Sequence, residues 1–186
     1  MKKLSIFLVV ALFLSGLVVR IVDLDCDPPA FFAEGGQALT TDAAHLTLYA
    51  KNKVLFGQWD LFGYQPWMAF KISLVSALSW LLYSLFGVSM VVTNLTGVIL
   101  NLAGLALFLI ALRKYLSHRA LIYCTLFLMA NFLAAIYARL PFSENSVIFL
   151  AGLIFVVHTY WFNTLMGKIL AGALIALCGL VGKAFG

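Results

Sequence analysis

The sequence predicts an all-α, polytopic membrane protein, and three observations carry that reading. Hydrophobic residues fill 64% of the 186 positions and charged residues 10%, with a mean hydropathy of +1.06, a balance that a soluble domain of this size does not sustain. The apolar residues gather into runs of about 17–25 residues, the length a helix needs to cross a bilayer. Basic residues fall between the runs, at Lys2 and Lys3, at Arg113, Lys114 and Arg119, and at Lys168. The net charge of +5 is therefore scattered, which speaks to membrane orientation and excludes nucleic acid as a partner. Cys26, Cys124 and Cys178 are far apart without metal-ligand spacing, so neither a metal site nor a disulfide framework is indicated.

The basic start and the apolar run 4–22 form the first span. A cleaved signal peptide is the competing reading, but no small-residue cleavage site follows and Arg20 interrupts its usual position. With Lys2 and Lys3 in the cytoplasm, 23–65 is an external loop. It carries six of the seven acidic residues: Asp23, Asp25, Asp27, Glu34, Asp42 and Asp60. Within it, 41–56 reads as an amphipathic helix that Thr40, Thr41 or Asp42 can cap and Gly57 can end. At helical spacing Asp42, His45, Tyr49 and Lys53 share one face, while Ala43, Leu46, Ala50 and Val54 share another. Such a helix would lie on the membrane with its apolar side down.

Two apolar segments, 66–86 and 88–112, separate this external loop from the basic connector at Arg113. That connector belongs in the cytoplasm, so the number of crossings between them is odd. The first segment, with Lys71, Ser73, Ser76 and Ser79 along it, is read as an interfacial or re-entrant helix, and 88–112 as the span. The chain then crosses outward over 120–137, back over 145–162, and outward again over 169–186. Residues 138–144 form the external turn between the first two of these, and His158, Tyr160 and Trp161 mark the inner interface. The last span stops without a polar flank, so the chain is expected to be the amino-terminal part of something longer.

On this topology Asp42, Arg139, Glu144 and Lys183 gather at the outer face. Lys183 would stand roughly 22 Å above the inner turn at Lys168, at 1.5 Å per residue. Charge at membrane depth is costly and marks cavities or pathways. Two carboxylates beside two cations suit a reaction that needs a general base and a clamp for a phosphate leaving group.

The motifs behind those residues resemble the GT-C glycosyltransferases that use lipid-phosphosugars, a group that includes the protein O-mannosyltransferases and the lipid A aminoarabinose transferases. Asp42, then Tyr49, Ala50, Asn52, Gly57 and Trp59, matches the first external loop of that family, and Gln65-Pro66-Trp67 to Phe86-Gly87 its non-crossing juxtamembrane segment. Arg139 and Glu144 match its Arg-x-x-x-x-acid signature, and Gly182-Lys183 resembles its later Thr-Lys pair. The family's acidic pair is Asp-Glu where this chain has Asp42-Ala43, which leaves a single carboxylate.

The resemblance implies a GT-C-like transmembrane helix bundle in a multi-pass protein of a prokaryotic inner membrane, with external juxtamembrane helices and an outward-facing site. It implies inverting transfer of a sugar from a polyprenyl-phosphate donor to a protein, lipid or glycan acceptor. Asp42 would be the general base, and Arg139 and Lys183 would bind the donor phosphate. Glu144 would position Arg139 or, if a divalent cation takes part, bind it. His45 and Tyr49 would support the site from the acceptor side. The competing expectation is a non-catalytic scaffold or small transporter subunit whose outer cluster binds the headgroups of membrane lipids.

Overall fold

The computed structural model describes residues 2–25, 41–59 and 73–183; the side chains at 2–3, 41–45, 180 and 182–183 lie outside that description. Among the described residues there are eight helices and no strand: α1 Lys2–Ile21, α2 Thr41–Phe56, α3 Leu74–Phe86, α4 Met90–Leu112, α5 His118–Ala130, α6 Phe132–Ala138, α7 Ser143–Trp161 and α8 Leu165–Lys183. Three segments are long and apolar enough to cross a membrane, Leu4–Ile21, Met90–Leu112 and Ser143–Trp161, and α5 with α6 makes a fourth if the bent pair is one span. Local chemistry sets many of the helix ends. Ser73, Ser89, Ser117 and Asn131 each accept the amide three residues ahead and so open α3, α4, α5 and α6. Gly57 and Gly87 close α2 and α3 at φ +70° and +79°, where a side chain would be strained.

The centre of the fold is the pair α4 and α7, which run parallel. Asn101 meets Asn145, Phe108 meets Phe155 and Lys114 meets Thr159, so both chains advance together. Glycines bring the two backbones into contact: a Cβ on Gly104 would stand 2.7 Å from the Ile148 carbonyl, and one on Gly152 would stand 2.5 Å from the Gly104 oxygen. Since α4 and α7 point the same way, the chain between them must return across the bundle. It does so as α5 and α6, which start beside the end of α4 and finish with Ala138 and Leu140 against Gly97.

That return is not the single helix expected over 120–137. It breaks at Asn131, and α6 leaves α5 at 60°. The cause is local: the Asn131 side chain caps α6 by accepting the Ala134 amide at 2.9 Å, which holds its own backbone extended at ψ 112°. The last helix also begins earlier than the expected 169. Thr164 caps it through the Gly167 amide at 3.0 Å, which puts Lys168 inside the first turn of α8 rather than in the connector. Leu150, Val157, Ala171 and Leu174 then close α7 and α8 into a hairpin.

α4 and α7 are out of step at one end. Asn145 lies two residues inside α7, but its partner Asn101 lies eleven residues inside α4. The start of α4 therefore overhangs the start of α7 by about nine residues, roughly 14 Å. α3 runs back along this overhang, with Ser79 on Thr96 at 3.1 Å and Tyr83 on Thr93 at 2.6 Å. Its 13 described residues measure about 20 Å, short of the ~30 Å hydrocarbon layer. α2 lies beside α3, with Leu46 and Ala50 fully buried. Leu46 packs with Val75 and Leu100, and Ala50 with Leu82, Tyr83 and Val92. The apolar face of α2 is thus covered by α3 and α4, where the sequence pointed to lipid. Helix packing and a membrane surface offer an apolar stripe the same reward, and periodicity cannot tell them apart.

Candidate functional site

The overhang, the end of α1 and the turn between α6 and α7 stand at one end of the bundle. Hydroxyls fasten α2 there. Ser76 Oγ donates to the Leu46 carbonyl and takes the Ser73 hydroxyl at 3.1 Å. Tyr83 bonds Thr93, and burial pushes its phenol above the ordinary value while the Thr93 and Thr47 hydroxyls pull it down. Beyond Gly57, Trp59 meets Trp80 edge to face at 6.3 Å. Lys53 is exposed and reaches the Gly57 carbonyl at 3.2 Å, a basic group at the negative end of its helix. Tyr49 is half-buried. Asp42 and His45 lie in the first turns of α2, and their side chains fall outside the described residues.

The turn at 139–142 is held from beneath by Asn145, whose amide nitrogen donates to Tyr137 at 3.0 Å and Leu140 at 2.7 Å. Its oxygen accepts from Asn101 at 2.9 Å. Both asparagines are buried, so the bonds form out of water. Arg139 leaves this turn toward α1. Its guanidinium donates to the carbonyls of Val19 at 2.9 Å, Val22 at 2.6 Å and Asp23 at 2.8 Å, the unsatisfied acceptors where α1 ends. Asp23 itself sits at φ +49°, so the chain turns sharply beneath that guanidinium.

The structure therefore brings Arg139, Glu144 and α2 to one end. Lys183 closes α8, a helix of 19 residues folded back on the 19 of α7, so its backbone returns to that end; its side chain lies outside the described residues. Glu144 shares that end with Arg139, whose bonds go to the carbonyls of the α1 end. Glu144 stands exposed in the first turn of α7, not in the connector, and takes the Ser143 hydroxyl at 3.2 Å. Among the described residues no group of three His, Cys, Asp or Glu side chains could hold a metal ion, and Cys124 and Cys178 are free thiols.

Three residues that organise this end carry no motif. Asn101 and Asn145 read in the sequence as polar residues within or beside apolar runs, and nothing there pairs them. Arg20 reads only as an interruption of a leader-like run, yet it is fully buried. It donates to Gly16 at 3.0 Å, Met129 at 3.3 Å and Leu128 at 3.4 Å. A cation near the end of an apolar run was its one available signal. No family model matches this chain, and no curated protein or solved structure matches it.

Proposed function

We propose that this chain serves sugar transfer from a polyprenyl-phosphate donor at the outer face of a prokaryotic inner membrane, in a GT-C-like arrangement. The observation that carries the reading is the overhang of α4, which supports α2 and α3 beside the same end of the bundle as Arg139. An interfacial site of that kind suits a donor whose polyprenyl tail stays in lipid while its phosphate and sugar stand at the surface. Asp42, in the first turn of α2, would take the proton of the acceptor hydroxyl. Arg139 would exchange a carbonyl of α1 for the donor phosphate, since a charge-assisted bond to an anion outweighs one to a neutral carbonyl. Lys183 would add a point charge and Glu144 a carboxylate at the rim, with His45 and Tyr49 on the acceptor side.

The test separates the two principal roles. Asp42→Asn keeps size and hydrogen bonding but cannot accept a proton, so turnover should fall by about 10²- to 10⁴-fold while donor binding survives. Arg139→Ala should instead weaken donor binding. Sugar transfer in liposomes, measured beside binding of polyprenyl monophosphate, reads both. Near-normal turnover in Asp42→Asn would sink the catalytic reading. The broken α5–α6 pair favours a second reading, a lipid-binding scaffold or transporter subunit, because broken helices recur where transporters bind their cargo. Headgroup binding without any sugar transfer would select it.

A further inference from the structure

We propose that Arg20 is a positioning residue that sets the placement of Arg139 through the α5–α6 break; its functional half rests on the reading of Arg139 as the phosphate ligand. α5 stops at Ala130, so its last carbonyls have no helical amide to accept from and need another donor inside a membrane bundle. Arg20 supplies the missing donors from the neighbouring helix. Its guanidinium bridges the Leu128 and Met129 carbonyls of α5 and the Gly16 carbonyl of its own helix. Gly16 makes the approach possible, because a Cβ there would stand 2.5 Å from the Met129 sulfur.

From that anchored end the path to Arg139 is short and stiff. Asn131 caps α6, the seven residues of α6 run off at 60°, and Arg139 follows directly as the last helix-like residue. Arg139 then reaches back to Val19, Val22 and Asp23 of the α1 end. The two arginines thus close a ring: α1 holds the end of α5, and the end of α6 holds α1. Removing the Arg20 link leaves the start of α6 fastened by the Asn131 cap, while its far end keeps the Asn145 bond to Tyr137, the seat against Gly97 and the bonds of Arg139 to α1. The Arg20 Nε is buried and finds no hydrogen-bond partner among the described residues. Arg20 therefore acts through its two terminal nitrogens, the ones that hold the carbonyls.

The experiment compares Arg20→Gln and Arg20→Lys in the whole chain in nanodiscs, reading amide hydrogen exchange and binding of polyprenyl monophosphate. Arg20→Gln should raise exchange across Leu133–Arg139 by about tenfold and weaken binding by a similar factor, with Arg20→Lys between it and the parent. Amides of α4 and α7 around Asn101 and Leu150 should not change. On an Arg139→Ala background, Arg20→Gln should cost less than about twofold more, because the two act on one interaction. Unchanged exchange in α6 overturns the proposal, and so does raised exchange throughout α4 and α7 in both variants, which would make Arg20 a general stability residue. Raised exchange confined to α6, beside an Arg139→Ala chain that binds the probe normally, overturns the phosphate reading while leaving Arg20 as the residue that holds α6.

Discussion

Asn145 gives its amide nitrogen to the turn that carries Arg139 and its amide oxygen to Asn101, and its worth can be measured. Replacement by Ala would strand the Tyr137 and Leu140 carbonyls and the Asn101 amide group together. Interhelical polar bonds in membrane proteins average about 0.6 kcal/mol each, so the three lost bonds should cost roughly 2 kcal/mol. Reversible unfolding in mixed micelles checks this. Asn101→Leu should cost less, because it removes one of the three bonds, and equal losses would mean that the turn is held by something else. At this scale the sequence was partly legible. Gly57 reads as a helix stop and acts as one, but a buried Asn pair has no spacing rule because its members come from different helices.

Among elements, the α4–α7 seam is the strictest contact. Gly104→Ala would press a methyl against the Ile148 carbonyl and the Phe149 amide, both backbone groups that cannot turn aside. Overpacking of this kind costs about 1–3 kcal/mol. Gly172→Ala, on α8 with nothing within 4 Å of its Cβ, should be neutral or gain up to about 1 kcal/mol of helix propensity. Unfolding of both variants under the same conditions tests the seam, and equal stability would show that α4 and α7 do not touch there. The helix over 41–56 and the spans at 4–22 and 88–112 were legible from run length and end residues, because each obeys a local rule. The break at Asn131 was not, since the residues on both sides of it are equally apolar.

For the whole molecule, sidedness follows from directions. Gln58 follows the end of α2, Ser84 lies near the end of α3 and Glu144 lies in the first turn of α7, all at the overhanging end; Ser117 and Asn163 lie in the connectors of the opposite end. With the native cysteines removed, single cysteines at Gln58, Ser84 and Glu144 should react with an impermeant reagent from one side of the membrane, and those at Ser117 and Asn163 from the other. These five positions are exposed, so access is decided by side and not by burial. Labelling of Gln58 and Glu144 from opposite sides would show that the segment leading into α3 crosses, and the shared site would be lost.

The sequence by itself determined that this is a helical membrane chain, because length and composition of apolar runs answer to the bilayer and to nothing else in the fold. It also placed the helix stop at Gly57 and the break between two apolar segments at Gly87. Only the tertiary structure decided which helices lie together: that α4 and α7 run parallel, that α4 overhangs, that α2 spends its apolar face on α3 and α4, and that Arg20 and Arg139 hold carbonyls of helices other than their own. In a bilayer an apolar face gains little by choosing a helix over a lipid tail, so hydrophobic pattern cannot specify neighbours. Close glycine contact and a few polar side chains choose them instead, and their partners are distant in the chain.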